Sequence, residues 1–271
     1  MSEISNDMKF VNATVDKNGF VRSKKGNLKK VIANTRKNVV EHRDSVEADK
    51  LKKRTIITVY HGTTNDSLVP DYNYNNKNND YGKGLYTTPD IELAKQWAYS
   101  GYTGGGVGYT YEYEIDLDGL NVLDFTKLDS MHWLAELVYN REIDVRAERE
   151  IYEDNRKRLL DKYKIDTSMY DIIIGYRADD SYFVYAKDFV SGLIYRDTLD
   201  RALRLGELDL QVFIRSQMAF NRLIEVDGPV KVDPRYRNKY ISRDRAAREE
   251  YKRDRVNQTP RLKQRIDDFL D

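Results

Sequence analysis

Two stretches decide how this chain is read: Thr55-Ile-Ile-Thr-Val-Tyr-His-Gly-Thr-Thr64 and, after a polar insert, Asp80-Tyr-Gly-Lys-Gly-Leu-Tyr-Thr-Thr88. Each is a β-branched or aromatic run that ends in glycine and small hydroxyl residues, which is how a strand running into a turn is written. Read so, each strand delivers one polar ring, His61 or Tyr86, to a shared cleft. The insert between them, residues 71–80, is rich in Asn and Asp, whose side chains make local turns, and is expected to be a loop.

Working outward, residues 89–98 read as a helix, with Thr88 as its N-cap and Pro89 in its first turn. Gly-rich residues 101–108 do not run from a strand into a helix, so they read as a strand connection rather than a phosphate loop. Strands are expected over 109–116 and 120–125, and helices over 130–138 and 146–163. Tyr170-Asp-Ile-Ile-Ile-Gly-Tyr-Arg-Ala-Asp-Asp180 contains the continuous apolar run of a buried central strand, expected to break at Gly175. Residues 181–189 read as its partner or as a short following element. A helix over 196–205, a strand over 208–214 and a last strand over 223–226 complete the middle of the chain.

Composition narrows the chemistry. The 271 residues include no Cys, which removes disulfides and thiolate chemistry and suits a reducing cytoplasm. Three histidines, His42, His61 and His132, lack zinc-site spacing, and no Gly-x-Ser-x-Gly elbow is present. No run approaches a membrane span and the start lacks a signal peptide pattern, so a soluble cytoplasmic protein without a membrane partner is expected. Net charge is +1 but unevenly placed: residues 21–54 carry 12 Lys/Arg against 4 Asp/Glu, residues 231–271 carry 13 against 8, and residues 55–230 carry 19 against 30. Such basic flanks suit either a polyanionic partner or attachment to the acidic middle. The expected organisation is a basic N-terminal arm and helix over 1–54, a central domain over 55–230, and a charged helical tail over 231–271. In the first segment a helix from residue 27 has Leu28, Val31, Ile32, Val39 and Val40 on one side, and either packs on the core or lies on nucleic-acid phosphates. In the last, residues 235–255 read as a surface helix or a partner-ordered tail, and Leu262, Ile266, Phe269 and Leu270 as a short docking helix.

Tyr60-His-Gly-Thr63, Gly82-Lys-Gly-Leu-Tyr-Thr-Thr88, the helix through Ala94, Trp97 and Ala98, and the Asp171–Asp180 stretch occur in an order that resembles the ADP-ribosyltransferase superfamily. The subclass resembled uses a His-Tyr-Glu triad, in an uncharacterised bacterial branch. The resemblance covers residues 55–226 and implies an α+β fold, a split antiparallel β-sandwich with flanking helices, and NAD as co-substrate with no metal. It implies a cofactor site of Tyr60, His61, Gly62, Thr63, Tyr86 and Trp97, with Gly62 on the carboxamide, His61 on the adenosine ribose and Tyr86 stacked on nicotinamide. Thr63 would touch a ribose hydroxyl. The catalytic set carried over is His61, Tyr86 and Gln211, where Gln211 stands at the position the family often fills with Glu; Glu207, Asp179 and Asp180 are the nearby carboxylates that could serve instead. The implied activity is transfer of ADP-ribose to a macromolecular acceptor, protein, RNA or DNA, as in bacterial or phage-defence toxins held by an antitoxin or inhibitor protein. The alternatives are an RNA 2′-phosphotransferase-like enzyme, which usually presents a second His where Tyr86 stands, and a non-catalytic NAD- or nucleic-acid-binding module.

Overall fold

The computed structural model describes residues 20–22, 55–73, 79–100, 106–141, 148–178, 180–204, 210–257 and 263–270. The expected helix from residue 27, residues 101–105 of the Gly-rich connection, Asp179 and Glu207 lie outside these. The architecture is α+β, built on two sheets. The larger has the strand order β1 (Phe20–Arg22), β5 (Asn121–Asp124), β6 (Ile172–Tyr176), β7 (Leu210–Ile214) and β3 (Leu85–Thr87). The smaller has the order β2 (Ile56–Thr63), β4 (Tyr109–Asp116) and β8 (Leu223–Lys231), antiparallel throughout.

β6 is the central strand of the large sheet, which is why Ile172, Ile173 and Ile174 can all be apolar: both of its faces are covered. Their alternation sorts them between two cores. Ile172 and Ile174 join Val212, Ile214, Leu85, Val59, Tyr113 and Ile115 between the two sheets. Ile173 and Phe213 join Trp133, Leu134, Phe189 and Val190 on the opposite face, beneath the helices. β5 and β6 run parallel, so their connection must cross back over the sheet, and α2 (Ser130–Asn140) and α3 (Arg149–Tyr163) supply it. The strand does not stop at Gly175 as its sequence suggests. It continues to Tyr176, because a glycine is what leaves room for Tyr81, whose hydroxyl and ring carbon would overlap or crowd any Cβ placed there.

Helix α1 (Ile91–Trp97) starts two residues later than expected. Asp90 is the N-cap, its carboxylate accepting from the Glu92 amide at 2.8 Å, while Thr88 accepts from the Asp90 amide and pairs with Tyr60 instead. A carboxylate also complements the helix N-terminus better than a hydroxyl does. The segment after β6 is helical, α4 (Asp180–Val190), and is followed by α5 (Arg196–Arg204) and the short α6 (Gln217–Phe220). α7 (Arg235–Val256) is a surface helix that buries only Ala247 along 22 residues, yet it is tied at both ends. Tyr236 bonds Glu92 of α1 at 2.7 Å, and Tyr251 and Arg255 both reach the buried Asp188 of α4. In the last stretch Ile266 is fully buried in the helix-side core and Phe269, in α8 (Asp267–Leu270), packs near Phe189 at 6.3 Å. Among the described residues no helix is long and apolar enough to cross a membrane.

Candidate functional site at the seam of the two sheets

Among the described residues one isolated β-bridge stitches the two sheets together. Tyr60 of β2 and Thr88, just beyond β3, exchange backbone hydrogen bonds of 2.8 and 2.9 Å. The next residue along β2 is His61, 6% exposed, with Nδ1 lying 2.7 Å from the Tyr86 carbonyl oxygen. A carbonyl only accepts, so Nδ1 carries the proton and Nε2 is the acceptor nitrogen of a neutral ring. Burial drives this, holding the imidazole pKa down to about 4 against the opposing pull of the Tyr86 carbonyl. β3 in turn pairs with β7, Thr87 facing Val212, so Thr88 and Gln211 are the next residues on the two strands. Across β7, Gln211 faces Gly175 of β6. The ends of β2, β3, β6 and β7 thus meet around His61 and Gln211.

Gln211 is 4% exposed and its Oε1 is buried without a hydrogen-bond partner. Trp97, at the last turn of α1, is 6% exposed, and its indole Nε1 is likewise buried without one. Arg177, two residues beyond Gly175, lays its guanidinium over the Trp97 ring at 5.0 Å from the centroid. This neighbourhood therefore holds a neutral imidazole acceptor, an amide, an indole donor and a cation. Gly62 explains why α1 comes so close: a Cβ there would overlap the Ala94 carbonyl oxygen and lie 2.7 Å from the Ala98 nitrogen. The His-Gly pair and the Ala-Lys-x-Trp-Ala helix are thus two sides of one contact.

The other site residues expected from sequence are distributed around this seam. Tyr60 lies on the face of β2 opposite to His61, beside Glu112, and burial together with that carboxylate raises its phenol pKa. Thr63 spends its hydroxyl on the Asn65 amide at 3.2 Å in the turn after β2. Tyr86 sits in the helix-side core, 9% exposed, its ring 4.6 Å from Phe213 and 6.3 Å from Tyr81. Its hydroxyl donates to the Gly82 carbonyl at 2.8 Å and accepts from the Tyr81 amide at 2.9 Å. Stacking a ligand ring on Tyr86 therefore requires the turn at residues 81–84 to move.

Three residues without a role in the sequence reading support this geometry. Asp80, 6% exposed, accepts from Arg141 at 3.3 Å and from the Ala178 amide at 2.8 Å, tying the turn before β3 to α2 and to the segment after β6. Tyr81 donates to the Tyr176 carbonyl at 2.6 Å and accepts from Trp133 Nε1 at 3.1 Å. Arg177 completes the set. The only sequence signal for Arg177 was its place between Gly175 and Ala178, and for Asp80 its place before a Gly-Lys-Gly turn. Of the carboxylates considered as substitutes for the third position, only the backbone of Asp180, opening α4, is described. Among the described residues no group of three His, Asp or Glu is placed to hold a metal ion.

A family model described as "Protein of unknown function (DUF3990)" matches residues 57–224, well over half of the chain, and the chain belongs to that family. The match spans His61, Tyr86, Trp97, Arg177 and Gln211, and leaves β1, most of β8, α7 and α8 outside it. No curated protein and no solved structure matches the chain.

Proposed function

We propose that this DUF3990 chain is an ADP-ribosyltransferase that takes NAD as co-substrate at the seam and passes ADP-ribose to a protein or nucleic-acid acceptor. The observation that carries the reading is the convergence of His61 and Gln211 on neighbouring strand ends with two buried polar atoms, Gln211 Oε1 and Trp97 Nε1, that lack partners. A buried polar group left unpaired costs roughly 1–3 kcal/mol, so two of them beside one seam favour a ligand that supplies both an acceptor and donors. A nicotinamide riboside moiety offers both, through its carboxamide and ribose hydroxyls. Two sheets joined at the Tyr60–Thr88 bridge also support the split β-sandwich of that superfamily.

In the proposed reaction the bond between the ribose C1′ and the nicotinamide nitrogen breaks, its electron pair passing to nitrogen and neutralising the pyridinium. Nicotinamide leaves, an acceptor nucleophile bonds to C1′, and its proton goes to solvent. His61 accepts a hydrogen bond from the adenosine ribose at Nε2, the nitrogen that the neutral ring leaves unprotonated. The Gly62 backbone holds the carboxamide, and Gln211 Oε1 accepts from the nicotinamide ribose. An amide supplies no negative charge to a cationic transition state, so Gln211 orients the ribose more than it stabilises C1′.

The test is incubation of the purified protein with NAD labelled in its adenylate portion, with mixed protein, RNA and DNA acceptors. Label is expected in one acceptor class together with equimolar free nicotinamide, and both are expected to fall in His61→Ala and Gln211→Ala. Absence of both products with the wild-type protein defeats the transferase reading. The uncharged Gln211 favours one second reading, a module that binds NAD without cleaving it. Its mark is tight NAD binding with no nicotinamide released.

A further inference from the structure

We propose that the outward face of α7 binds the sugar-phosphate backbone of a double-stranded nucleic acid. Over its 22 residues α7 carries nine Lys/Arg and four Asp/Glu, and the two signs are sorted by side. Seven of the cations are exposed, among them Lys239, Arg245, Lys252 and Arg253, against one exposed carboxylate, Glu249. Asp244, Glu250 and Asp254 are half-buried. Asp254 is spent on the protein itself, reaching Arg201 of α5 at 3.7 Å and the Tyr185 hydroxyl of α4 at 3.5 Å. A helix charged for solubility alone has no reason to turn its anions inward; here the sorting leaves a positive stripe about 33 Å long, at about 1.5 Å per residue. Some of these cations hold carboxylates: Arg248 meets Asp244 at 3.0 Å, Lys252 meets Glu249 at 2.9 Å, and Lys239 meets Glu92 of α1 at 3.7 Å. Exposed pairs of this kind are weak and screened by salt, so they yield to a phosphate.

The rest of the helix selects the kind of partner. Its exposed large apolar side chains are Ile241 and Val256, too far apart to form the stripe that a membrane surface or a protein groove requires. Its tyrosines, Tyr236, Tyr240 and Tyr251, are half-buried, so it offers no stacking platform to the splayed bases of a single strand. A duplex presents a regular ladder of phosphates, one charge per about 1.7 Å of axis, and one B-form turn spans about 34–36 Å, close to the length of the stripe. α7 is held against the body at both ends, by Tyr236 on Glu92 and by Tyr251 and Arg255 on Asp188. With its inner side so occupied, it lies across phosphates rather than inside a groove, and reads no base sequence. Its first turn is tied to α1, the helix that carries Trp97 to the seam. A duplex on α7 is therefore placed to be the ADP-ribose acceptor; that clause alone rests on the NAD reading above.

Fluorescence anisotropy on the whole chain decides the matter, with a mixed-sequence DNA duplex of about two helical turns, the same sequence as duplex RNA, and one of its DNA strands alone. Duplex affinity is expected to fall with salt along a log–log slope of about −4 or steeper, the mark of about four or more phosphate contacts. Arg245→Gln, Lys252→Gln and Arg253→Gln combined should weaken duplex binding roughly tenfold or more and flatten the slope by about 2–3. Removing three exposed charges elsewhere, by Lys127→Gln, Arg149→Gln and Lys157→Gln, should change affinity less than about twofold. Equal losses in the two triple variants, no loss in the α7 variant, or tighter binding of the single strand overturns the assignment. Binding of either duplex, DNA or RNA, with the loss confined to the α7 variant supports it. Should that variant fail to fold, lysine acetylation of the wild type takes its place: a duplex should protect Lys239 and Lys252 and leave Lys127 and Lys157 reactive, and uniform protection or none refutes the contact. None of these measurements involves NAD, so their failure is distinct from failure of the transferase reading. A duplex that binds on α7 but takes no label from NAD, while another acceptor class does, overturns the acceptor clause.

Discussion

Protonating His61 should destabilise this protein by an amount that follows from its burial. The ring is held neutral with a pKa near 4, against an ordinary value of 6.5, and burial is the larger cause. The unfolded chain therefore binds a proton that the folded chain refuses, and the folded state loses stability as pH falls through the window between those two values. The difference of 2.5 pH units corresponds to about 3.4 kcal/mol once the pH lies below both values, at about 1.36 kcal/mol per unit. Above about pH 6.5 the contribution is intact, and by pH 5 about 2 kcal/mol of it is gone. Other groups titrate in the same range, so the informative quantity is the difference between the wild type and His61→Gln, whose amide can still donate to the Tyr86 carbonyl but takes up no proton. Urea unfolding of both proteins at pH 7 and pH 5 is expected to show the wild type's advantage shrinking by about 2 kcal/mol. Proton NMR of the His61 ring through the same titration should place its midpoint well below the ordinary value. A midpoint near 6.5, or an advantage independent of pH, would refute the neutral, Nδ1-protonated ring and with it the acceptor role given to Nε2.

Three other substitutions test neighbouring parts of the argument. Gly62→Ala pushes a methyl group into the backbone of α1 at Ala94 and Ala98, and is expected to cost roughly 3 kcal/mol in denaturant unfolding; full stability would mean that the helix does not press on β2 as described. Tyr86→Phe keeps the ring against Phe213 but leaves the Tyr81 amide and Gly82 carbonyl without their shared partner, at a cost of about 1–3 kcal/mol by thermal or urea unfolding. Gln211→Glu places a carboxylate on β7 opposite Gly175 and, where NAD is cleaved at C1′, should raise nicotinamide release by roughly 10-fold or more. A lower rate in a folded, NAD-binding Gln211→Glu variant would argue against a cationic transition state at that position.

Much of the scaffold was legible because it is written in local periods. β4 was expected over residues 109–116 and occupies those same residues, since strict alternation over eight positions leaves no competing reading. The apolar run at 172–174 likewise announced a strand buried on both faces, and the large sheet places it in the centre. Local reading was weaker wherever a distant group set the outcome. Gly175 looked like a strand end because glycine usually interrupts one, but here it accommodates Tyr81, 94 positions earlier in the chain. Asp90 rather than Thr88 caps the helix: the Thr88 hydroxyl accepts from the Asp90 amide, two residues too early, while the Asp90 carboxylate reaches the Glu92 amide. The segment at 181–189, whose aromatic and apolar content suits strand and helix alike, was decided as a helix by packing beneath the sheet, with Tyr185, Ala186 and Phe189 in the core.

The candidate site divides along the same line. His61, Gly62, Tyr86, Trp97 and Gln211 could be picked out as residue types at strand and helix ends, because short-range grammar marks where strands stop. That His61 is neutral, that Gly62 is the seat of α1, that Tyr86 is enclosed by Phe213 and Tyr81, and that Arg177 lies on Trp97 are consequences of which ends meet. The sequence by itself marked most of the strands and the candidate rings, through interactions among residues a few positions apart, but not β1 or the second half of β8. Only the tertiary structure decided the charge, partners and exposure of those rings, because desolvation and contact depend on groups that are remote in the chain and adjacent only after folding.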